Sequence, residues 1–112
     1  MPKVTTLQEY QEATSQTAIF PEETGLAYCV LGLNGEAGEV AEKLKKIIRD
    51  GNNELTDEKR EDIKKELGDV MWYVAQTARM AGLELSDIAQ TNIDKLFSRK
   101  ERGVIGGSGD NR

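Results

Sequence analysis

Two short carboxylate pairs are the part of this sequence best suited to chemistry. Glu36 and Glu39 stand three residues apart, and Glu66 and Asp69 repeat that spacing. Residues three apart share one face of a helix, so each pair can direct two carboxylates to one place. The chain has no histidine and one cysteine, so a metal site must draw on oxygen ligands, which favour Mg²⁺ or Mn²⁺. The composition also excludes a His-dependent triad or an imidazole base.

The residues around the two pairs distinguish them from the other acids of the chain. Residues 30–41 contain no lysine or arginine but three glycines at three-residue intervals, and each mid-helix glycine costs about 0.5–1 kcal/mol relative to alanine. Close helix packing and close approach of a ligand both explain such glycines. Around the second pair, Gly68 and Asp69 are poor helix formers in an apolar segment. We interpret the four carboxylates as converging on a cation from two antiparallel helices; two solvated acid pairs are the alternative.

Polar side chains extend the faces that carry the acids. Helical spacing continues the first face through Lys43 and the second through Tyr73. A later segment places four polar or basic residues on one face: Asn92, Lys95, Arg99 and Arg102. An ordinary amphipathic surface explains any one of them. As a set beside a divalent metal, they indicate a site for a polyphosphate.

Four helices must position these residues, because no segment alternates with the period of a half-buried strand. The capping and breaking residues predict an all-α, four-helix bundle-like domain over residues 1–102. Its helices span Thr6 to about Thr17, Thr24 to Asp50, Thr56 to near Gly82, and Ser86 to about Arg102. Residues 103–112 are rich in glycine and predict a tail that is flexible or ordered by a ligand.

Charge and hydropathy exclude several classes of function. With 15 basic and 20 acidic residues the net charge is -5, which argues against a general nucleic-acid binder. No apolar run approaches the roughly 18 residues of a membrane span, and no signal peptide is evident, so we expect a soluble, cytoplasmic protein without a membrane partner. The apolar run Val70–Ala75 covers every direction around its helix, which predicts a homodimer or a homotetramer.

From about Gln8 to Arg112 the chain resembles the MazG-like nucleotide pyrophosphohydrolases, members of the all-α NTP pyrophosphohydrolase superfamily. The family pattern is two adjacent acids, two further residues and an acid, followed after a gap by Glu-x-x-Asp. Here Gly35 replaces the first acid, while all four predicted ligand positions are filled. The spacings Asp69-x-x-x-Tyr73 and Asn92-x-x-Lys95 also resemble phosphate-contacting positions of the family.

The resemblance implies hydrolysis of a (deoxy)nucleoside triphosphate between the α and β phosphates, giving a nucleoside monophosphate and pyrophosphate. It implies Mg²⁺, with Mn²⁺ as a substitute, on the four acids, and Glu39 is the preferred base. Lys95 and Arg99, with Lys43, are expected to hold the outgoing pyrophosphate, and Trp72 is either a base-stacking or a core residue. The alternatives are a dUTPase-like or phosphoribosyl-ATP pyrophosphohydrolase-like activity, and a non-catalytic helical interaction module that binds no metal.

Overall fold

Four α-helices and two short 3₁₀ turns make up the chain. The structure, a computed structural model, describes residues 1–112. The helices are α1 (Leu7–Thr14), α2 (Gly25–Asp50), α3 (Asp57–Met80) and α4 (Leu85–Glu101), and the 3₁₀ turns are Ser15–Thr17 and Glu22–Thr24. No strand is present, and the predicted all-α fold class is confirmed.

Local features explain where α1 and α3 begin and where α2 ends. The Thr6 side chain accepts from the backbone N–H of Glu9, whose carboxylate accepts in return from the Thr6 N–H, so α1 starts with a capping box. The Thr56 hydroxyl accepts from the N–H of Lys59 and caps α3 as predicted. After α2 the chain turns through Asn52 and Asn53, both with left-handed φ values of 54° and 58° that asparagine tolerates better than most residues.

The start of α4 corrects the sequence-based prediction. Ser86 is not the N-cap, because α4 already begins at Leu85, and Glu84 in the cap position makes no side-chain bond to the helix. The first N–H of α4 instead donates to the side-chain oxygen of Gln11 at 2.9 Å. The helix is therefore capped by α1, a tertiary contact that the local sequence does not reveal.

Helices α2 and α3 form an antiparallel hairpin that carries the predicted site. Gly32 lies against the ring of Tyr73, and a Cβ at this glycine would overlap that ring. Close helix packing thus explains Gly32. Gly35, Gly38 and Gly68 differ, because a Cβ at any of them would meet no atom within 4 Å.

A buried network of hydrogen bonds joins α1 to α3 and to the start of α4. Gln76 is fully buried; its Nε2 donates to the Thr14 hydroxyl at 2.8 Å, and its Oε1 accepts from Arg79 Nε at 2.8 Å. Gln11 Nε2 donates to the backbone oxygen of Leu83 at 2.9 Å. Because buried amides are costly when unpaired, these bonds fix where α1 and α4 meet α3.

The protomer has a small core for its length. Only ten of 112 residues are buried, and within the run Val70–Ala75 the single buried residue is Ala75. The accessible surface is 8181 Å², whereas a compact folded monomer of this mass exposes about 6,100 Å². The radius of gyration is 16.9 Å, against about 13 Å for a compact domain of this size.

Residues 103–112 form a defined loop, although their glycine content predicts flexibility. The loop folds back on α4: Asp110 pairs with Lys95 and Arg99, and Arg102 donates to the backbone oxygen of Arg112. Three glycines of the loop have left-handed φ values, between 73° and 91°. The residues that make the segment unsuited to a helix are therefore the ones that let it turn.

Candidate functional site

Three of the four predicted metal ligands meet between α2 and α3. Glu36, Glu66 and Asp69 each offer one carboxylate oxygen, and these three atoms lie within 4.8 Å of one another. None of the three forms an ion pair. Burial, followed by the negative charges of Asp69, Glu66 and Glu39, raises the pKa of Glu36 above its ordinary value. A convergent, uncompensated set of oxygens fits a hard divalent cation such as Mg²⁺ or Mn²⁺.

Glu39 lies outside this group of three. Its side chain is exposed, although its charge is among the causes of the raised Glu36 pKa. The two residues are almost one helical turn apart on α2, so Glu39 borders the cluster on the side away from the aromatic residues. Its roles as a fourth ligand and as the base stay predictions.

A cavity of about 380 Å³ opens directly beside the carboxylates. Glu36 and Asp69 form part of its wall. The remaining wall is mostly apolar and aromatic: Thr17, Ile19, Phe20, Tyr28, Trp72 and Tyr73. A cavity that joins aromatic rings to acidic oxygens has the composition expected for a ligand with a flat ring at one end and a metal-binding group at the other.

The aromatic rings of this cavity hold one another in place. Phe20 and Tyr28 stack with centroids 5.1 Å apart, and Trp72 meets Tyr73 edge to face at 5.0 Å. The Trp72 Nε1 donates to the Thr17 hydroxyl at 2.8 Å, which fixes the indole. Burial, and then the hydrogen bond with Tyr28, raise the pKa of the Tyr73 phenol above its usual value. The rings form a preorganised wall rather than a flexible surface.

The predicted phosphate-binding residues are spread over three other places in the protomer. Lys43 lines a cleft of about 230 Å³ with Lys46 and Lys59. Asn92 lies at an apolar groove between α3 and α4. Lys95 and Arg99 are bonded to Asp110 of the C-terminal loop. Of the predicted substrate-binding residues, only Trp72 and Tyr73 share a cavity with the acids.

Sequence reasoning missed Phe20 and Tyr28. A signal for Tyr28 exists, because Tyr28, Gly32 and Glu36 follow one another at four-residue intervals and so lie on one face of α2. Phe20 lies between the two 3₁₀ turns, and no periodicity applies there. Only the tertiary structure places Phe20 at the cavity.

Comparison with known proteins agrees with this geometry. Residues 24–104 match the model of the MazG nucleotide pyrophosphohydrolase domain. The chain belongs to the MazG family. It is also 55% identical over 109 residues to the Gene 37 protein of Mycobacterium phage L5, an alignment that covers 92% of this chain and 96% of that protein. No solved structure matches the chain.

The MazG match spans both carboxylate pairs and the aromatic residues of α2 and α3, and it supports nucleotide pyrophosphohydrolase activity. The Phe20 side of the cavity and most of the C-terminal loop lie outside the matched residues. None of the four helices combines the length and the hydropathy that a membrane span requires.

Proposed function

We propose that the protein hydrolyses nucleoside or deoxynucleoside triphosphates at the α–β phosphoanhydride with the help of Mg²⁺. Water adds to the α-phosphorus, the bond between that phosphorus and the bridging oxygen breaks, and the products are a nucleoside monophosphate and pyrophosphate. The observation that carries the proposal is that Glu36 and Asp69 line the same cavity as Trp72 and Tyr73.

The size of a nucleotide explains why this adjacency favours the α-phosphate. A base among the aromatic rings is separated from its α-phosphate by the sugar alone, whereas the γ-phosphate lies two phosphate groups further away. Because two carboxylates are themselves part of the cavity wall, the α-phosphate is the group that comes to rest beside them. The β and γ phosphates then point out of the cavity and leave together.

Each group of side chains has a distinct task in this proposal. Trp72 and Phe20 bind the base by stacking and exclude water from one side of it. Glu36, Glu66 and Asp69, with Glu39 as a fourth candidate, hold Mg²⁺. When bound, the ion neutralises the charge that develops on the phosphate oxygens and increases the acidity of a water. Glu39, the exposed acid at the edge of the cluster, is the proposed acceptor of the proton from the attacking water.

We also propose that a second copy of the chain, in a dimer or in a tetramer of dimers, covers much of the exposed apolar surface. The excess of about 2,000 Å² per protomer, or about 4,000 Å² for two protomers, lies within the roughly 2,000–5,000 Å² that obligate interfaces bury in total. Large apolar side chains are correspondingly open, for example Leu31 at 74% and Phe97 at 56% exposure. The positions of Gly35 and Gly38, open within the protomer, leave room for a close neighbour beside the acids.

Product analysis tests the proposed reaction. A panel of all common NTPs and dNTPs is incubated with Mg²⁺, and nucleotides, pyrophosphate and orthophosphate are separated. We expect at least one substrate to give a monophosphate and pyrophosphate, with loss of activity in EDTA and recovery with Mg²⁺ or Mn²⁺. Nucleoside diphosphate with orthophosphate would exclude α–β cleavage. No turnover of any nucleotide would favour the helical interaction module, and selectivity for dUTP or phosphoribosyl-ATP would identify the other two alternatives.

Light scattering of active protein tests the proposed assembly. A dimer or a tetramer has two or four times the protomer mass of 12.4 kDa. A mass of one protomer at micromolar concentration, in a sample that still turns over nucleotide, would contradict the proposal.

A further inference from the structure

The end of α4 and the C-terminal loop bring several basic residues together around one acidic side chain. Asp110 Oδ1 lies 2.9 Å from Lys95 Nζ and 3.2 Å from Arg99 Nη2. Arg102 donates to the backbone oxygen of Arg112 at 2.8 Å. Three cations therefore contact the loop, which itself carries Arg112, and Asp110 is the only acidic side chain within residues 103–112. The net charge of the whole protein is -5. Such a local excess of positive charge is suited to an anion with more oxygen atoms than one carboxylate.

Arg99 is buried but only partly satisfied. Its residue is 5% exposed, and both of its hydrogen bonds use Nη2, one to the backbone oxygen and one to the carboxylate of Asp110. Its Nε is buried without a partner. A guanidinium has five N–H donors, and a buried donor left without an acceptor is costly. Asp110 thus neutralises the charge of Arg99 without using its hydrogen-bonding capacity.

The loop holds Asp110 through its own backbone. The Arg112 guanidinium donates to four carbonyl oxygens of the loop, those of Val104, Ile105, Gly106 and Gly109. The Asp110 carboxylate itself is largely exposed, at 79% of its side chain. The ion pair between Asp110 and Lys95 is open to solvent on both sides, with 37% of the Lys95 side chain exposed, and such a pair is worth little. Asp110 can therefore release the cations as well as hold them.

We propose that the loop is a cover over an anion site, in which the Asp110 carboxylate occupies the position on Lys95 and Arg99 that a phosphate or pyrophosphate group takes. Binding requires the loop to lift, because the Arg99 guanidinium is otherwise inaccessible. Phosphate supplies several acceptors to the unused donors of Arg99, whereas Asp110 supplies one carboxylate and one carbonyl. The proposal rests on the proposed function only in that the same two cations are expected to hold the outgoing pyrophosphate.

Calorimetric titration with inorganic pyrophosphate in EDTA tests the cover. Without divalent metal the acid cluster repels pyrophosphate, so binding reports the cations. We expect Asp110→Asn to bind pyrophosphate roughly tenfold more tightly than the parent, because one charge-assisted contact no longer has to be broken. Asp94→Asn is the matched control: it removes the same charge from α4, where Asp94 accepts from Gln90 and forms no ion pair. Equal affinities for the two variants, or weaker binding by Asp110→Asn, would overturn the proposal.

Two further measurements sharpen the test, and the second, made on the parent protein, keeps it decisive if Asp110→Asn folds poorly. Adding Lys95→Gln to Asp110→Asn should remove the gain in affinity. In the parent, the side-chain Nε–H resonance of Arg99 should shift when pyrophosphate saturates the protein. An unchanged Arg99 resonance would mean that the loop stays closed and that pyrophosphate binds elsewhere or not at all. None of these readouts involves turnover, so this proposal can fail while the proposed hydrolysis stands, and the reverse.

Discussion

The α2–α3 hairpin and the unit formed by α4 and residues 103–112 treat charged side chains in opposite ways. The hairpin leaves its clustered acids without basic partners, whereas the α4–loop unit pairs two of its cations. In the hairpin, Glu36, Glu66 and Asp69 gather three like charges and none has an ion-pair partner. At the end of α4, Lys95 and Arg99 have a partner from their own chain, Asp110. Burial, and then the charges of Asp69, Glu66 and Glu39, raise the pKa of Glu36. The pKa of Asp110 is lowered, chiefly by its hydrogen bonds with Lys95 and Arg99.

The difference shows which charges the fold satisfies and which it leaves for something else. Like charges in a half-buried cluster repel one another unless a cation neutralises them or one of them takes up a proton. The α2–α3 hairpin therefore holds negative charge that no basic group of the chain balances. At the end of α4, Lys95 and Arg99 already have an acidic partner from their own chain, Asp110. Removing a charge should therefore stabilise the first region and destabilise the second.

The largest effect is expected for Asp69→Asn. Turnover should fall at least roughly 100-fold, because even groups that only support a metal ligand are worth about 10- to 100-fold. Without metal the melting temperature should stay the same or rise, since repulsion with Glu36 and Glu66 is relieved, and the stabilisation by added Mn²⁺ should shrink. Thermal scans with and without Mn²⁺, beside a pyrophosphate-release assay, measure these effects.

Asp62→Asn is the control for that experiment, because it makes the same change on α3 at a residue outside the acid cluster. It should retain the parental response to Mn²⁺ and the parental turnover. If Asp69→Asn also retained both, the carboxylate metal site would be wrong.

Two glycines of the hairpin provide a second comparison, for which we expect an effect on stability of intermediate size. Gly32→Ala should destabilise the protein by about 1–3 kcal/mol, because its Cβ meets the Tyr73 ring. Gly38→Ala should stabilise an isolated protomer by about 0.5–1 kcal/mol, because its Cβ meets nothing and alanine favours the helix. Urea unfolding of the two variants measures both. A clear loss of stability in Gly38→Ala would show that another chain occupies the open space beside the acids.

The smallest effect is a pH-dependent loss of stability in Asp110→Asn. The pKa of Asp110 is lowered in the folded protein, so its stabilising contribution is present above the unfolded value of about 3.9 and is lost as the pH falls through the lower, folded value. The variant should therefore melt below the parent near neutral pH, and the difference should narrow only on acidification below about pH 4. A difference that is unchanged at low pH would mean that the Asp110 charge does not hold the loop.

Much of the fold was predictable because its signals are local. Thr6 and Thr56 cap their helices through bonds to residues three positions away, and Gly51 with two left-handed asparagines ends α2. The start of α4 was not predictable in the same way, because Gln11, more than 70 residues away, supplies its cap. The sequence predicted a tail that is flexible or ordered by a ligand, and it gave no sign that Arg112 makes four hydrogen bonds within that segment.

The candidate site was likewise predictable only where it depends on local spacing. The spacing of the acids, the lack of histidine and the antiparallel helices were sufficient to predict that Glu36, Glu66 and Asp69 converge. The same reasoning predicted Glu39 as a fourth ligand, and it lies nearly a turn further along α2. It also predicted four substrate-binding residues that lie outside the cavity of the protomer, so their roles stay predictions: Lys43, Asn92, Lys95 and Arg99. Helical spacing tells which residues share a face, but not how far that face extends before another element covers it.

The sequence by itself determined most of the helices, the oxygen chemistry of the predicted metal ligands and the pairing of α2 with α3, since each depends on residue types at short, fixed spacings. Only the tertiary structure decided that Phe20 and Tyr28 complete an aromatic cavity beside the acids, and that Asp110 reaches Lys95 and Arg99. Those contacts depend on the conformation of two connecting segments. Such segments have no periodicity, so their positions are set by the surfaces that they meet.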